Sequence, residues 1–166
     1  KAYLDTDKGK KFADKIVLYI PIVKDVVTKT QIAEFTRIMS LLLSSGLSIL
    51  QALELAAKSL SNSLFSDVIM DARDEVEKGG SLTVPISRSK YYPPIVSSMI
   101  AVGEETGNLD TVLEKVATYY KQEVNTATEN LSGILEPVFL ILMGGTIGFI
   151  AMAIYMPMFQ LSSVMT

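Results

Sequence analysis

Residues 137–159 read PVFLILMGGTIGFIAMAIYMPMF and contain no ionised side chain. As an α-helix these 23 residues would extend about 34 Å, which exceeds the roughly 30 Å hydrocarbon core of a bilayer. Ten of them are Leu, Ile, Val or Phe, which favour insertion by about 3–6 kcal/mol before the glycines and prolines are considered. A buried core helix is the alternative, but such helices seldom run so long without a charge. We therefore predict a transmembrane helix over residues 133–161 and a short tail, residues 162–166, on the far side.

The charge distribution divides the remainder of the chain. The net charge is −3, yet residues 1–29 carry seven Lys against four Asp, and residues 30–166 carry eight Lys or Arg against fourteen Asp or Glu. The basic arm predicts a juxtamembrane segment, residues 1–27, near anionic headgroups on the cytoplasmic face, although a soluble lysine-rich tail would carry the same charge. The acidic remainder is unlike a nucleic-acid-binding surface, so we expect no nucleic-acid partner.

The sequence offers little for catalysis. It contains no cysteine and no histidine, which removes thiolate nucleophiles, zinc–thiolate sites and the commonest general base. It also lacks the glycine-rich lysine motif of a phosphate-binding loop. We therefore expect no enzyme activity, no cofactor and no metal, and any mechanical energy must come from a partner. Because the chain starts at Lys1 without an initiator methionine or a signal peptide, we expect an excised fragment.

Glycine, proline and capping residues divide the polar part of the chain into helices. Thr28 and Gln31 form a capping box that predicts a helix start, and Gly46 predicts its end. Ser48 and Gln51 predict the start of the next helix. Further helices are predicted over residues 7–19, from 63 to 78 before two glycines, over 94–105 before Gly107, and from 109 to 135 after Asn108, with only a short helix start at 81–85.

Apolar side chains recur at helical spacing and no segment alternates as a strand does. The fold class is therefore predicted to be all-α: an antiparallel bundle of about six helices, residues 28–132, followed by the C-terminal transmembrane helix. The side chains predicted to face the core are Ile32, Phe35, Met39, Leu42, Leu43, Leu50, Leu53, Ala57, Leu60, Leu64, Phe65, Val68, Ile69, Ala72, Val76, Leu109, Val112, Leu113, Val116, Tyr120, Val124, Ala127 and Leu131.

The turn at residues 103–107 places two carboxylates at the C-terminus of a predicted helix. The helix dipole is negative there, so each acid is destabilising by a few tenths of a kcal/mol, roughly. Such an arrangement indicates either a contact for a basic partner or a solvated helix end. A cation site or a hydrolytic pair fits less well, because neighbouring helical side chains point about 100° apart. The candidate partner contacts are Gly103, Glu104, Glu105, Thr106 and Gly107.

The predicted membrane helix contains a second group of candidates. Gly144 and Gly148 form a small-residue motif, extended by Ala151, that allows another helix to approach closely. Glu136 and Pro137 stand at the start of the uncharged run. Glu136 either reaches the interface harmlessly or pairs with a group on another membrane helix. We take all five residues as candidates for packing between membrane helices.

Several motifs together resemble the GspF/PilC family of inner-membrane platform proteins of type II secretion and type IV pilus machines. They run in order across residues 21–163. The first is F-x-R-x-x-x-L-L-x-x-x-G at residues 35–46, and the most specific is PPIVSSMIAVGEETGNL at residues 93–109. LEP at residues 135–137 and IYMPMFQ at residues 154–160 match the ends of the last membrane helix. Val84 and Pro85 depart from the continuous short helix of the family, which predicts a late or distorted helix there.

The resemblance implies a six-helix cytoplasmic bundle leading into the last of three membrane spans, and only the second of two such bundles. It implies a non-enzymatic platform in the bacterial inner (cytoplasmic) membrane, with the bundle facing the cytoplasm. The implied partners are a hexameric assembly ATPase, pilin or pseudopilin subunits, other inner-membrane assembly proteins, membrane lipid and further copies of the chain.

The residues themselves are also compatible with two other functions. One is a tail-anchored helical-bundle module that binds amphipathic peptides in a groove. The other is a membrane-bound hydrolase using Glu104 and Glu105, which has little support. Pilus, secretion and competence systems are equally compatible with the motifs.

Overall fold

The computed structural model describes residues 14–19 and 21–164, and for residues 21–22, 131–132, 134–136, 138 and 154–164 it describes the backbone only. Residues 14–17 form a helical turn. Six helices follow: α1 Pro21–Ser44, α2 Ile49–Ser59, α3 Ser63–Glu77, α4 Thr83–Arg88, α5 Pro94–Thr106 and α6 Leu109–Val164. No strand occurs in these described ranges, which confirms the all-α prediction for them.

The chain divides into two compact units, Lys1–Ala127 and Thr128–Thr166. The first, which we call the bundle unit, contains α1 to α5 and the start of α6. Its centre is aromatic: Tyr92 contacts Phe35 and Phe65 edge to face, with ring centroids 5.9 and 5.3 Å apart. Most of the predicted core side chains are buried around this group, including Ile32, Met39, Leu53, Ala57, Leu60, Ile69, Ala72, Leu113, Val116 and Tyr120.

Helix α1 begins at Pro21, so the helix start predicted at Thr28 was wrong. Proline is favoured at the first helical position, where its missing N–H has no intrahelical acceptor in any case. No glycine or proline follows before Gly46, and the Thr30 hydroxyl donates to the Val26 carbonyl at 2.8 Å, as it does inside a helix. The backbone thus satisfies the groups that a capping box at Thr28 would otherwise satisfy.

The predicted helix ends are confirmed where glycine provides them. Gly46, Gly79 and Gly107 adopt φ values of 85°, 82° and 69°, in the left-handed region that a glycine enters without steric penalty. After α1 the N–H of Leu47 donates to the Leu42 carbonyl at 3.1 Å and that of Gly46 to the Leu43 carbonyl at 2.9 Å. This is the bonding pattern of a Schellman motif, which reverses the chain into α2.

Helix α4 is a complete six-residue helix, Thr83–Arg88, rather than only a helix start. Pro85 is its third residue. The N–H groups of a first helical turn have no partner within the helix, so a proline in this position removes no hydrogen bond. The departure from the family pattern at Val84 and Pro85 is therefore compatible with a regular helix.

The second unit, which we call the C-terminal unit, consists of the remainder of α6. Its described large apolar side chains are exposed: Phe139, Leu140, Ile141, Leu142, Met143, Ile147, Phe149, Ile150 and Met152. Among the described residues, no helix combines the length and the apolarity that crossing a membrane requires. The transmembrane helix predicted over residues 133–161 is thus not confirmed, and the side chain of Glu136 lies outside the described set.

Candidate functional site

The acidic turn, residues 103–107, lies where α5 ends and the chain reverses into α6. The N–H groups of Gly107 and Asn108 both donate to the carbonyl of Gly103, the latter at 3.1 Å. Gly107 supplies the left-handed conformation that this reversal needs. The turn is therefore held by the backbone, and the directions of its side chains follow from that geometry.

Gly103 is required because the first turn of α6 passes directly over it. A Cβ at this position would lie 2.9 Å from Cδ1 and 3.0 Å from Cα of Leu109. The second atom belongs to the backbone and cannot move aside without shifting α6. Gly103 is thus buried as a packing residue between two helices, and it presents no side chain to a partner.

Glu104 points back into the bundle unit, toward the start of α4. Its Oε2 accepts hydrogen bonds from the Ser81 hydroxyl at 2.6 Å, from the Thr83 hydroxyl at 2.6 Å and from the Thr83 N–H at 3.1 Å. Its Oε1 accepts one from the Leu82 N–H at 2.7 Å. The carboxylate thus satisfies two backbone donors at the N-terminus of α4.

This contact adds to a local hydrogen bond, in which the Thr83 N–H donates to the Ser81 hydroxyl at 3.1 Å. Leu82, the residue before α4, has an apolar side chain that cannot accept a hydrogen bond, so it does not cap the helix. A carboxylate at a helix N-terminus is favoured both by the free N–H groups and by the positive end of the helix dipole. Glu104 therefore acts as a cap for α4 that is supplied from α5.

The same hydrogen bonds set the ionisation of Glu104. Partial burial is the largest single influence on its pKa and acts to raise it, but the hydroxyl and backbone donors together outweigh burial. The pKa of Glu104 consequently lies below its ordinary value of 4.5, and the side chain is ionised at neutral pH.

Glu105 and Thr106 face the other way. Both are exposed, and the Thr106 hydroxyl donates back to the Val102 carbonyl at 2.7 Å. Within the described part of the chain, Glu105 has no ion-pair or side-chain hydrogen-bond partner. Of the two acids that the sequence singled out, one is therefore engaged inside the bundle unit and one is directed to solvent.

Sequence reasoning missed the donors that hold Glu104, namely Ser81, Leu82 and Thr83. A weak signal was available, because one hydroxyl residue, Ser81, precedes and another, Thr83, begins a short helix whose own first turn has no acid. Nothing local links them to a glutamate more than twenty residues away. The pairing becomes visible only when α5 packs beside α4.

The candidates in the C-terminal unit are arranged differently. Gly144 and Gly148 are exposed, and an added Cβ on either would meet nothing within 4 Å. Pro137 is exposed and Ala151 is half-buried, while the side chain of Glu136 lies outside the described set. No side chain that the structure describes requires a glycine at either position.

Comparison with known proteins settles the family. Residues 35–157 match the family described as Type II secretion system (T2SS), protein F. The chain belongs to this family. The T2SS protein F match covers both the acidic turn and the glycine motif, and it confirms the resemblance drawn from the sequence motifs.

Individual relatives carry names from two machines. The type IV pilus assembly protein PilC of Myxococcus xanthus is 37% identical over 155 residues, which cover 93% of this chain and 37% of the relative. PilC of Thermus thermophilus is 36% identical, over 96% of this chain and 39% of the relative. The type II secretion system protein F of Aeromonas hydrophila is 31% identical, over 98% and 42% respectively. The chain thus spans about two fifths of the length of these curated relatives.

Proposed function

We propose that this chain is the second helical bundle and final membrane span of a non-enzymatic platform protein in the bacterial inner membrane. In this function it couples a cytosolic hexameric assembly ATPase to the insertion of pilin or pseudopilin subunits. The observation that carries the proposal is family membership together with relatives named for type IV pilus assembly and type II secretion. Some of these relatives are named for type IV pilus assembly and others for type II secretion, so the names divide between pilus and secretion systems.

The C-terminal unit supports a location in the membrane. Nine large apolar side chains between residues 139 and 152 are exposed, with exposed fractions from 53% for Ile150 to 76% for Phe149. An apolar surface of this extent is unfavourable in water and indicates a lipid or protein environment. We propose lipid around residues 133–161, with Gly144, Gly148 and Ala151 facing another membrane helix and Glu136 and Pro137 at the entry.

The acidic turn supports a contact with a basic partner, and the structure distributes its residues unequally. Glu104 is occupied by the α4 donors, whereas Glu105 is exposed and available. We therefore propose that Glu105 and Thr106 make the contact with the ATPase or a neighbouring copy. Gly103, Glu104 and Gly107 hold the turn in the geometry that presents them.

A charge reversal tests this assignment. Glu105→Lys, introduced into the full-length protein in its host, is expected to reduce filament assembly or secretion and to weaken crosslinking to the ATPase. Asp71→Lys is the matched control, because Asp71 is an exposed carboxylate on α3 of the same bundle unit. Equal assembly and equal crosslinking in the two variants would refute the acidic-turn contact.

A peptide-binding module is the alternative, and one observation favours it. A cleft of about 900 Å³ lies between α1 and α6 within the bundle unit, lined by residues that include Ala33, Arg37, Leu41, Ala117 and Lys121. Such a cleft could hold an amphipathic helix. The two functions are separated by deleting the gene: loss of filaments or secretion supports the platform, and intact machinery with loss of one peptide partner supports the module.

A further inference from the structure

The cleft between α1 and α6 is lined by a row of side chains from each helix, and the two rows have the same spacing. Each row advances by four, three and four residues, so its members lie on one side of their helix. This is the spacing of a seam along which helices pack side by side. Both rows border a cleft of about 900 Å³. The row of α1 is Thr30, Glu34, Arg37 and Leu41, and the row of α6 is Glu114, Thr118, Lys121 and Asn125.

An ion pair defines how the two helices are aligned along the cleft. Lys29 of α1 and Glu123 of α6 are 3.1 Å apart at one end of it. From this pair the lining extends forward along α1 to Leu41 and backward along α6 to Glu114. The two walls of the cleft are therefore antiparallel, and positions on them can be compared by counting residues from the ion pair.

This count places opposite charges at matching levels on the two walls. Arg37 lies about 12 Å and Glu114 about 14 Å from that ion pair, at 1.5 Å per residue. Glu34 lies about 8 Å and Lys121 about 3 Å from it by the same count. None of the four has an ion-pair partner among the residues that the structure describes. Each wall thus presents one acid and one base that the facing wall of the same chain leaves unpaired.

The charges of the cleft indicate which partner it accepts. Its lining contains two acids and two bases, whereas residues 30–166 as a whole carry fourteen acids and eight bases. A partner with charges of one sign would place like charges together at two of the four positions. A second copy of the chain offers the same two acids and two bases. The acidic surfaces of two copies repel each other, so the cleft, which has no net charge, is a face at which they can meet.

We propose that two copies of the chain pair through their α1–α6 clefts, around a two-fold axis that is parallel to the helices. Rotation about this axis places α1 of one copy against α6 of the other at the same level. Arg37 then faces Glu114 of the second copy. Glu34 faces Lys121 of the second copy, and the symmetry repeats both contacts. The four charges that are unpaired in one chain thus become four ion pairs between two chains.

This arrangement suits both helix packing and a shared membrane. Each α1 is antiparallel to both α6 helices, so the four helices have the alternating directions of an antiparallel four-helix bundle. The less exposed residues of the lining, which include Ala33, Ile38 and Ala117, are covered by the facing helices. The rotation leaves the direction of every helix unchanged, so both chains point the same way, as two chains in one membrane must. The inference rests on the proposed function and names the face through which copies of the platform meet.

The chain contains no cysteine, so introduced thiols report on this contact alone. Two differently tagged copies of the full chain are reconstituted together into lipid vesicles, one with Ala33→Cys and the other with Thr118→Cys. These positions lie about 6 and 8 Å from the ion pair of Lys29 and Glu123, so the proposed pairing places them nearly level. We expect a short thiol-reactive crosslinker to join the two tags. Asp71→Cys with Thr118→Cys is the control and should not be joined, because Asp71 is exposed on α3 outside the cleft.

Charge reversal makes the test specific for the predicted pairs. Arg37→Glu alone, or Glu114→Arg alone, in both copies is expected to lower the ratio of crosslinked to free chain by about tenfold, because each places like charges together twice. The double variant restores opposite charges, and we expect it to recover the crosslink. Arg88→Glu is the matched control, since Arg88 is an exposed arginine on α4, and it should leave the ratio unchanged. Circular dichroism of each variant checks that the helices are retained.

The results that overturn the pairing are distinct from those that overturn the proposed function. Equal crosslinking of the cleft and control positions rules the pairing out, as does a crosslink that ignores both charge reversals or is not recovered in the double variant. Thiols in the cleft that are protected from alkylation in native membranes but are not joined to a second copy assign the cleft to a different occupant, such as an amphipathic peptide, and also rule it out. The vesicles contain this chain alone, so they measure pairing without the rest of the machinery. Intact filaments and secretion after deletion of the gene would instead contradict the proposed function.

Discussion

Glu104 accepts hydrogen bonds from both donors of Thr83, from the hydroxyl at 2.6 Å and from the backbone N–H at 3.1 Å. Together with the bonds from Ser81 and Leu82, this contact fastens the C-terminal end of α5 to the N-terminal end of α4. An acid that is unfavourable for its own helix therefore stabilises the neighbouring one. The unfavourable position of Glu104 at the negative end of the α5 dipole is thus compensated by its hydrogen bonds to α4.

Removing this charge should destabilise the bundle unit. Glu104→Gln keeps the size of the side chain but replaces an ionised acceptor, and losses of helix caps range from about 0.5 to 2 kcal/mol. We expect a decrease in the free energy of unfolding in this range, measured by urea denaturation of the full chain in mild detergent. Glu105→Gln, one residue away and exposed, is the control and should change it by less than about 0.5 kcal/mol. Equal effects of the two substitutions would contradict the cap.

The contribution of Glu104 should also depend on pH with a defined sign. Its pKa is lower in the folded chain than the ordinary 4.5, so its contribution to stability is present above that value. As the pH falls through the folded pKa, both states become protonated and the contribution is lost. We expect the difference in unfolding free energy between wild type and Glu104→Gln to decrease in acid. A difference that is constant from neutral to acidic pH would contradict the assigned charge.

Gly103 should not tolerate a methyl group. Gly103→Ala places a Cβ 2.9 Å from Leu109 Cδ1 and 3.0 Å from its Cα, and such overpacking is destabilising by about 1–3 kcal/mol. Gly133→Ala is the matched control, since it lies in α6 and meets nothing within 4 Å. The control should be neutral or slightly stabilising because alanine has the higher helix propensity. The thermal unfolding midpoints of the two variants measure the difference. An unchanged midpoint in Gly103→Ala would show that α6 can move away from α5.

Lys29 of α1 and Glu123 of α6 form an ion pair at 3.1 Å. We expect its contribution to the free energy of unfolding to be small but measurable. Lys29 also pairs with Asp25, whose hydrogen bond is the main reason that the pKa of Lys29 is raised. A double-mutant cycle with Lys29→Met and Glu123→Gln is expected to give a coupling of about 0.5–1 kcal/mol that decreases with salt. The exposed pair of Lys58 and Glu54 within α2 should give less. A coupling that is insensitive to salt would exclude a simple ion pair.

The glycine motif predicts a contact with another membrane helix. A Cβ added at Gly148 meets no described atom within 4 Å, so we expect Gly148→Leu to keep its helical content while crosslinking to another membrane helix and filament assembly decrease. Thr146→Leu is the matched control, because two residues along a helix point about 200° apart and Thr146 therefore lies on the opposite side. Loss of assembly in both variants, or in neither, would remove the motif from the proposed interface.

Local sequence was sufficient for most of the helix boundaries. Ser48 caps α2 by accepting from the Gln51 N–H, and Gly46, Gly79 and Gly107 reverse the chain where they were predicted to. These signals act within a few residues, so they can be recognised without knowledge of the fold. The order of motifs across residues 21–163 likewise indicated the family, which the family match over residues 35–157 confirms.

The start of α1 shows the limit of such signals. Thr28 and Gln31 have the spacing of a capping box, but a capping box and a continuing helix satisfy the same backbone donors. The preceding segment from Pro21 is itself able to form a helix, so the chain continues through Thr28. The spacing of Thr28 and Gln31 is compatible with a helix start and with a continuing helix. The residues from Pro21 onward decide for the continuing helix.

The role of each acid in the turn depended entirely on packing. Glu104 and Glu105 are adjacent and chemically equivalent, so no pattern in the sequence distinguishes the one that caps α4 from the one that faces solvent. The distinction arises because α5 and α4 pack side by side and bring a carboxylate to donors more than twenty residues earlier in the chain. Contacts between residues so far apart follow from the arrangement of whole helices, whereas caps and turns follow from the few residues that form them.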